Sequence, residues 1–185
     1  MVNRARAGYT LLETMLVVAI VGTIAGIGGK MMLQVNRYFE MTKARSDLEK
    51  EARGIMYVIT RELRQAQSPS IALTRVANSQ PYYSMINFTK QQGTGVTIYQ
   101  NGNLLCYAAK AATFTLNSGG KLVCRTPTVG GNDTLLSAHL RYLAFTFPRT
   151  DDMTIISVSM TLQTAVYQGR TKALHMASQQ VRIMD

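Results

Sequence analysis

The sequence predicts an α+β fold, in which one long amino-terminal helix packs against an antiparallel sheet in a carboxy-terminal head. Three observations favour this class. An apolar run lies near the start of the chain, a stretch with helical spacing follows it without a break, and the part after Pro69 changes to short runs of alternating polarity. The 185 residues suit one globular domain with a helical extension. We divide them into 1–8, 9–29, 30–67 and 68–185.

Residues 9–29 form the first half of the predicted helix. Glu13 is the only charged residue in this run, and Lys30 ends it. As a helix the run is about 31 Å long, enough to cross a hydrocarbon core of about 30 Å. Arg4 and Arg6 precede it without an acid, which favours a cytoplasmic amino terminus. An ionised Glu at membrane depth costs roughly 2.5–3.5 kcal/mol, so we expect Glu13 to have a function.

The second half of the predicted helix, residues 30–67, contains no proline. Its apolar residues recur at steps of three or four, which places them on one face of a helix. They are Met41, Ala44, Leu48, Ala52, Ile55, Ile59, Leu63 and Ala66. Ser68-Pro69 ends the pattern. We therefore predict one helix from about Tyr9 to Ala66.

The head, residues 68–185, is predicted to consist of strands joined by turns. Residues 82–88 have the pattern of a strand. Three hairpins are predicted, which pair 96–100 with 103–107, 113–116 with 122–125, and 140–147 with 153–166. The first is the clearest, because Asn101-Gly102 suits a type I′ turn. Residues 171–184 are ambiguous, and a closing edge strand is favoured over a helix.

Two cysteines, Cys106 and Cys124, enclose 17 residues. Their spacing matches neither a redox motif nor a zinc site. If the head lies in an oxidising compartment, a structural disulfide is favoured, and the chain-entropy model assigns about 3 kcal/mol to a loop of this size. Two buried free thiols are the alternative.

No catalytic or cofactor site is indicated. His139 and His175 are the only histidines, and neither a nucleophile elbow, a zinc-protease helix nor a phosphate-binding loop is present. Asp133, Asp151 and Asp152 are candidate calcium ligands, but the local sequence lacks the oxygen cluster that six to eight ligands require. We expect no enzyme activity, no cofactor and no metal.

The segment Gly8-Tyr9-Thr10-Leu11-Leu12-Glu13, with the apolar run after it, resembles the prepilin signal of type IV pilins and type II secretion pseudopilins. The resemblance implies that prepilin peptidase cuts between Gly8 and Tyr9 and methylates the new amine of Tyr9. It also implies that Glu13 pairs with the terminal ammonium of a neighbouring subunit, since a paired buried charge is tolerable and an unpaired one is costly. An ordinary signal peptide and an uncleaved anchor are the alternatives.

Three further segments resemble minor pilins of the W type and pseudopilins of the J type. They are residues 52–56, 60–66 and 180–184. The resemblance implies a structural subunit whose partners are prepilin peptidase and other pilins or pseudopilins in a helical filament. Before assembly such a subunit is held in the inner membrane, with its head in the periplasm.

The charge of the chain suggests a second interpretation. The formal net charge is +10, and residues 66–185 contain ten Lys or Arg against four Asp, a net charge of +6. A basic pilin head could capture DNA during uptake, with an affinity that falls steeply with salt. The bases are scattered singly, however, which is typical of a solvated surface. A third interpretation is a membrane-anchored periplasmic protein that never assembles.

Overall fold

The computed structural model describes residues 10–76, 78–110, 134–167 and 171–184, together with the backbone of 113–116 and 122–125. The chain divides into two compact units, Met1–Lys43 and Ala44–Asp185. Helix α1 (Leu11–Arg64) contributes to both units, and the strands all belong to the second. The predicted α+β class is confirmed.

In the first unit, the described residues from Leu11 onward belong to α1, and every residue from 10 to 40 is exposed. A Cβ atom added at Gly22, Gly26, Gly28 or Gly29 would meet nothing within 4 Å. Thus no described part of the chain covers the apolar run. An exposed apolar surface of this extent is typical of a membrane-contacting or protein-contacting segment.

In the second unit, one side of α1 is buried against the head. Leu48, Ala52, Ile55, Ile59 and Leu63 are buried as predicted. Met56 and Glu62 are buried in addition to the predicted set, whereas Met41 and Ala44 are only partly buried. The helix ends at Arg64, two residues before the predicted end. Gln65 and Ala66 donate 3.2 and 3.1 Å hydrogen bonds to the carbonyls three residues earlier, which tightens the last turn, and Ser68–Ser70 then form a 3₁₀ turn containing Pro69.

The described strands form three antiparallel sheets. The first has the order β1-β2-β3-β4-β7, the second β10-β9-β8, and the third is the hairpin β5-β6. Their bounds are Ala72–Thr74 (β1), Met85–Thr89 (β2), Gly95–Asn101 (β3), Leu104–Ala108 (β4), Thr113–Leu116 (β5), Leu122–Arg125 (β6), Thr134–Ser137 (β7), Leu140–Thr146 (β8), Ile155–Val166 (β9) and Thr171–Arg182 (β10).

The three predicted hairpins are confirmed as β3-β4, β5-β6 and β8-β9. In the first, the turn is placed one residue later than predicted. Asn101 pairs with Leu104, so the two-residue loop is Gly102-Asn103, and Gly102 has φ +60°. A type I′ turn needs positive φ at both loop residues, and Asn103 does not have it, so the turn is of type II′. The predicted type I′ turn at Asn101-Gly102 is wrong.

The strands differ from prediction in three other places. The strand expected over 82–88 begins only at Met85, because Tyr83 has φ +63°, outside the extended region that a strand requires. Strands β1 and β7 are additional to the prediction. The favoured edge strand over 171–184 is confirmed, since β10 pairs with β9 and is the outer strand of its sheet.

Candidate functional site

Glu13 lies in the first turn of α1, and Thr10 precedes the helix as its cap. The backbone N–H of Glu13 donates to the carbonyl oxygen of Thr10 at 3.0 Å and to the Thr10 hydroxyl at 3.3 Å. A threonine followed three residues later by glutamate is the sequence signature of a capping box. The capping role of Thr10 was not among the sequence predictions, although its signal is visible in the sequence.

Capping offers a second, local role for the Glu13 carboxylate. An acid in the first turn interacts favourably with the helix dipole, by about 0.3–1 kcal/mol at an exposed site. The cost of an ionised acid at membrane depth is roughly 2.5–3.5 kcal/mol on insertion scales. Because the local gain is several times smaller than that cost, capping alone does not account for a carboxylate within this apolar run.

The surroundings of Glu13 are apolar and open. Leu11 and Leu12 are 77% and 74% exposed, and large exposed apolar side chains continue around the helix. These include Met15, Leu16, Val17, Val18, Ile20, Val21, Ile24 and Ile27. By length and composition, the helix could cross a membrane near its amino-terminal end.

The other predicted site residues fall partly outside the described structure. Gly8 and Tyr9 lie before the first described residue, so cleavage and methylation there stay predictions. Cys106 is buried in β4, but the side chain of Cys124 is outside the described residues, and the disulfide also stays a prediction. Asp133 is likewise undescribed. Among the described residues, no group of three or more His, Cys, Asp or Glu could hold a metal ion.

A buried carboxylate, Glu62, joins the helix to the first sheet. Its side chain is 4% exposed, and its Oε2 atom lies 2.6 Å from Lys90 Nζ. The Tyr107 hydroxyl donates to the same oxygen at 3.0 Å, and Arg61 Nη2 donates to Oε1 at 3.1 Å. Arg61 is exposed, but the Lys90 side chain is only 16% exposed. Glu62 and the largely buried Lys90 therefore form an ion pair between the helix and the first sheet, and the partly buried Tyr107 donates to the same carboxylate.

The turn between β2 and β3 brings Lys90 to the helix. Lys90 exchanges hydrogen bonds within this turn, with its N–H donating to the Thr94 carbonyl and its own carbonyl accepting from Gly93, both at 2.8 Å. Gly93 has φ +81°, a conformation that glycine adopts without strain. The N–H of Gln91 donates to the Gln65 carbonyl at 3.0 Å, which fixes the turn against the helix end.

Burial and hydrogen bonding shift the pKa values of this cluster in opposite directions. Burial by itself raises the pKa of Glu62, but hydrogen bonds from Lys90, Tyr107 and Arg61 outweigh it and lower the pKa below the ordinary value of 4.5. Burial and the hydrogen bond to Glu62 raise the pKa of Tyr107 to about 12. The folded state therefore favours the charged carboxylate and the neutral phenol.

We expect stability to fall at both ends of the pH range. Below pH 4.5 the unfolded chain binds a proton at residue 62 that the folded chain does not, so the contribution of Glu62 is lost as the pH falls. Between pH 10 and about 12 the folded chain retains the Tyr107 proton and the unfolded chain does not, so the contribution of Tyr107 is lost as the pH rises.

Urea unfolding of the full chain across this range, followed by near-ultraviolet circular dichroism, measures both effects. Tyr107→Phe is the control, because it removes the titrating hydroxyl and leaves the ring. The difference in stability between the two proteins should shrink as the pH rises from 10 to about 12. A constant difference would contradict the raised pKa of Tyr107.

Comparisons with models of protein families, with curated proteins and with solved structures give no match to this chain. The pilin resemblance therefore depends on the residues quoted above. The structure by itself establishes two things: an uncovered apolar helix that could span a membrane, and a folded head attached to its second half.

Proposed function

We propose that this chain is a structural subunit of the pilin class, a minor pilin or minor pseudopilin that assembles into a type IV pilus or a type II secretion pseudopilus. Residues 9–29 hold it in the inner membrane with the head in the periplasm. Prepilin peptidase removes residues 1–8 and methylates Tyr9. The subunit then leaves the membrane and joins a helical filament of other pilins or pseudopilins.

The single observation that carries this proposal is the contrast along α1. Residues 11–29 expose apolar side chains all round, whereas Leu48 to Leu63 are buried on one side by the head. A signal peptide is removed from the mature protein, so its helix does not need to continue into the folded head. An uncleaved anchor explains the apolar surface but gives no use for Glu13, the only charge between Tyr9 and Gly29.

The filament gives Glu13 a partner that lipid lacks. Cleavage after Gly8 creates an ammonium group at Tyr9, four residues before the acid. In a bundle of such helices, the carboxylate of one subunit can meet the ammonium of its neighbour, and the pair is far less costly than a lone buried charge. Because the charge is less costly in the filament than in the membrane, pairing favours assembly. The position of the paired groups then sets the axial register of neighbouring subunits.

Mass spectrometry of the amino terminus tests the processing step. Protein extracted from membranes of cells that contain prepilin peptidase should begin at N-methylated Tyr9, and protein from cells without it should retain residue 8 and the leader. Recovery of intact Met1 in both strains, or of a chain that begins near residue 30, would reject the proposal.

A further inference from the structure

The head contains an open groove of about 910 Å³ between α1 and the edge strand β10. The helix provides Ala52, Arg53, Met56, Tyr57 and Arg64, among others, to one wall. Strand β10 provides the other wall with the consecutive residues 175–179. Because successive side chains of a strand point to opposite faces, a run of five consecutive residues means that the groove follows the edge of β10 rather than one of its faces.

The hydrogen bonds at the end of β10 show which backbone groups face the groove. Ile183 N–H donates to the Thr154 carbonyl on the β9 side at 2.8 Å, and Met184 N–H donates to the Arg64 carbonyl on the helix side at 3.4 Å. In an antiparallel ladder these directions alternate from residue to residue. Even-numbered residues of β10, Met176 and Ser178 among them, therefore direct their N–H and C=O groups toward the groove.

The partner strand gives the same result. Leu174 lies opposite Gln163 in the register of β9 and β10. The N–H of Gln163 donates to the His139 carbonyl at 2.7 Å, away from β10. The Leu174–Gln163 pair is therefore a non-hydrogen-bonded pair, and Leu174 directs its backbone groups outward. Among the described strands, β10 pairs only with β9, so this row of groups is open to a further strand.

Residues in the middle of β10, beside the groove, are less buried than those near its ends. On its inward face, Ala173 and Val181 are fully buried near the two ends. Between them, His175 and Ala177 are only partly buried and Gln179 is exposed. A hydrogen bond from the Thr60 hydroxyl to Gln179 Oε1, at 3.4 Å, crosses the groove. The middle of the strand is thus the part that an added segment would cover.

The charges along the groove are mainly positive. Three arginines, Arg53, Arg61 and Arg64, line it against one acid, Glu49. Arg53 pairs with Glu49, and Arg61 contacts the buried Glu62. The adjoining depression contains Arg64 together with Arg182. Since guanidinium groups bind carboxylates with two parallel hydrogen bonds, the groove suits acidic side chains.

We propose that this groove binds an extended, acidic polypeptide segment of a partner protein, which adds to β10 as a further strand. The unpaired backbone groups at Met176 and Ser178 supply the main-chain hydrogen bonds. Arg64, which forms no ion pair among the described residues, binds carboxylates, and the exposed Arg53 and Arg61 add the N–H donors that Glu49 and Glu62 do not use. A single extended segment fits better than the β10 edge of a second copy, because that edge is itself flanked by its own α1. The proposal does not depend on the proposed filament role.

Two peptides test the proposal with the full chain in detergent micelles. One alternates valine and glutamate and the other alternates valine and lysine, and both carry a fluorescent label. Fluorescence anisotropy should show binding of the glutamate peptide and much weaker binding of the lysine peptide. In the complex, amide hydrogen exchange should slow at Met176 and Ser178, whose N–H groups face the groove.

A proline at Met176 separates strand addition from simple charge attraction. Met176→Pro removes an outward N–H without breaking the ladder to β9, a position where edge strands tolerate proline. It should weaken binding of the glutamate peptide by at least about tenfold, because a backbone donor is lost and the proline ring obstructs the edge. Met176→Ala, which keeps the N–H, is the matched control and should bind nearly as wild type.

A charge reversal covers the case in which the proline variant does not fold. Arg53→Glu with Arg64→Glu changes only exposed side chains and should transfer the preference from the glutamate peptide to the lysine peptide. Three results would overturn the proposal. The first is the absence of exchange protection at Met176 and Ser178 in the complex. The second is equal affinity of folded Met176→Pro and wild type for the glutamate peptide. The third is that a short DNA duplex binds more tightly than the glutamate peptide and that its affinity is unchanged by Met176→Pro.

Discussion

Replacing Lys90 with Met is expected to lower the free energy of unfolding by about 3 kcal/mol, the usual cost of breaking a buried ion pair by removing one partner. Glu62 is almost fully buried, and Lys90 Nζ is its closest partner at 2.6 Å. Without Lys90, the carboxylate retains the bond from Tyr107 and the exposed Arg61. The pKa of Glu62 should therefore rise toward or above its ordinary value.

Two comparisons isolate the effect of burial in this prediction. Lys50→Met makes the same substitution in the exposed Asp47–Lys50 pair, where the atoms are 4.0 Å apart, and should cost less than about 0.5 kcal/mol. The double variant Glu62→Gln with Lys90→Met removes both charges and should recover most of the loss. Urea unfolding of the full chain measures all three. A loss for Lys90→Met no larger than that for Lys50→Met would contradict the buried pair.

Replacing Glu13 with Ala is expected to leave processing intact and to reduce incorporation into filaments by about tenfold or more. The peptidase site at Gly8 and Tyr9 is unchanged, so the leader should still be removed. In the filament, however, the neighbour's terminal ammonium loses its partner, and truncating one member of a buried charge pair costs about 2–5 kcal/mol. Each 1.4 kcal/mol corresponds to a factor of about ten in an equilibrium constant.

The control for this prediction is Glu40→Ala, which removes an exposed acid from the same helix beyond the apolar run. It should be processed and incorporated as wild type. Quantitative immunoblotting of sheared filaments against membranes measures both variants. Normal incorporation of Glu13→Ala would contradict the proposed pairing. If the variant were not cleaved, Glu13 would instead act in recognition by the peptidase.

Local sequence patterns were sufficient to predict the elements that are formed by residues close to one another in the sequence. The three-or-four spacing from Leu48 to Leu63 predicted the buried face of α1, because that face depends only on helical geometry. The hairpin at Gly102 was predicted because its turn residues are adjacent to both strands. The one-residue error in its turn arose because Asn-Gly and Gly-Asn both satisfy common two-residue loops.

The cluster of Glu62, Lys90 and Tyr107 shows why contacts between distant parts of the sequence were not predicted. Glu62 lies three residues after Ile59 and seven after Ile55, so the helical pattern already placed it on the buried face, and that signal was missed. Its partners Lys90 and Tyr107 come from a turn and a strand that no local pattern connects to the helix. Likewise, the positive φ of Tyr83 depends on its tertiary surroundings, since tyrosine has no intrinsic preference for that conformation.

Carbodiimide coupling in isolated filaments tests the pairing of Glu13 most directly, because the reagent joins a carboxylate to an amine only where the two are in contact. We predict a peptide in which the Glu13 side chain is joined to the terminal nitrogen of a neighbouring subunit, present in filaments and absent from detergent-solubilised monomers. The exposed Asp47–Lys50 pair serves as an internal control for coupling. Filaments in which that pair is coupled and Glu13 is recovered unmodified would contradict the account.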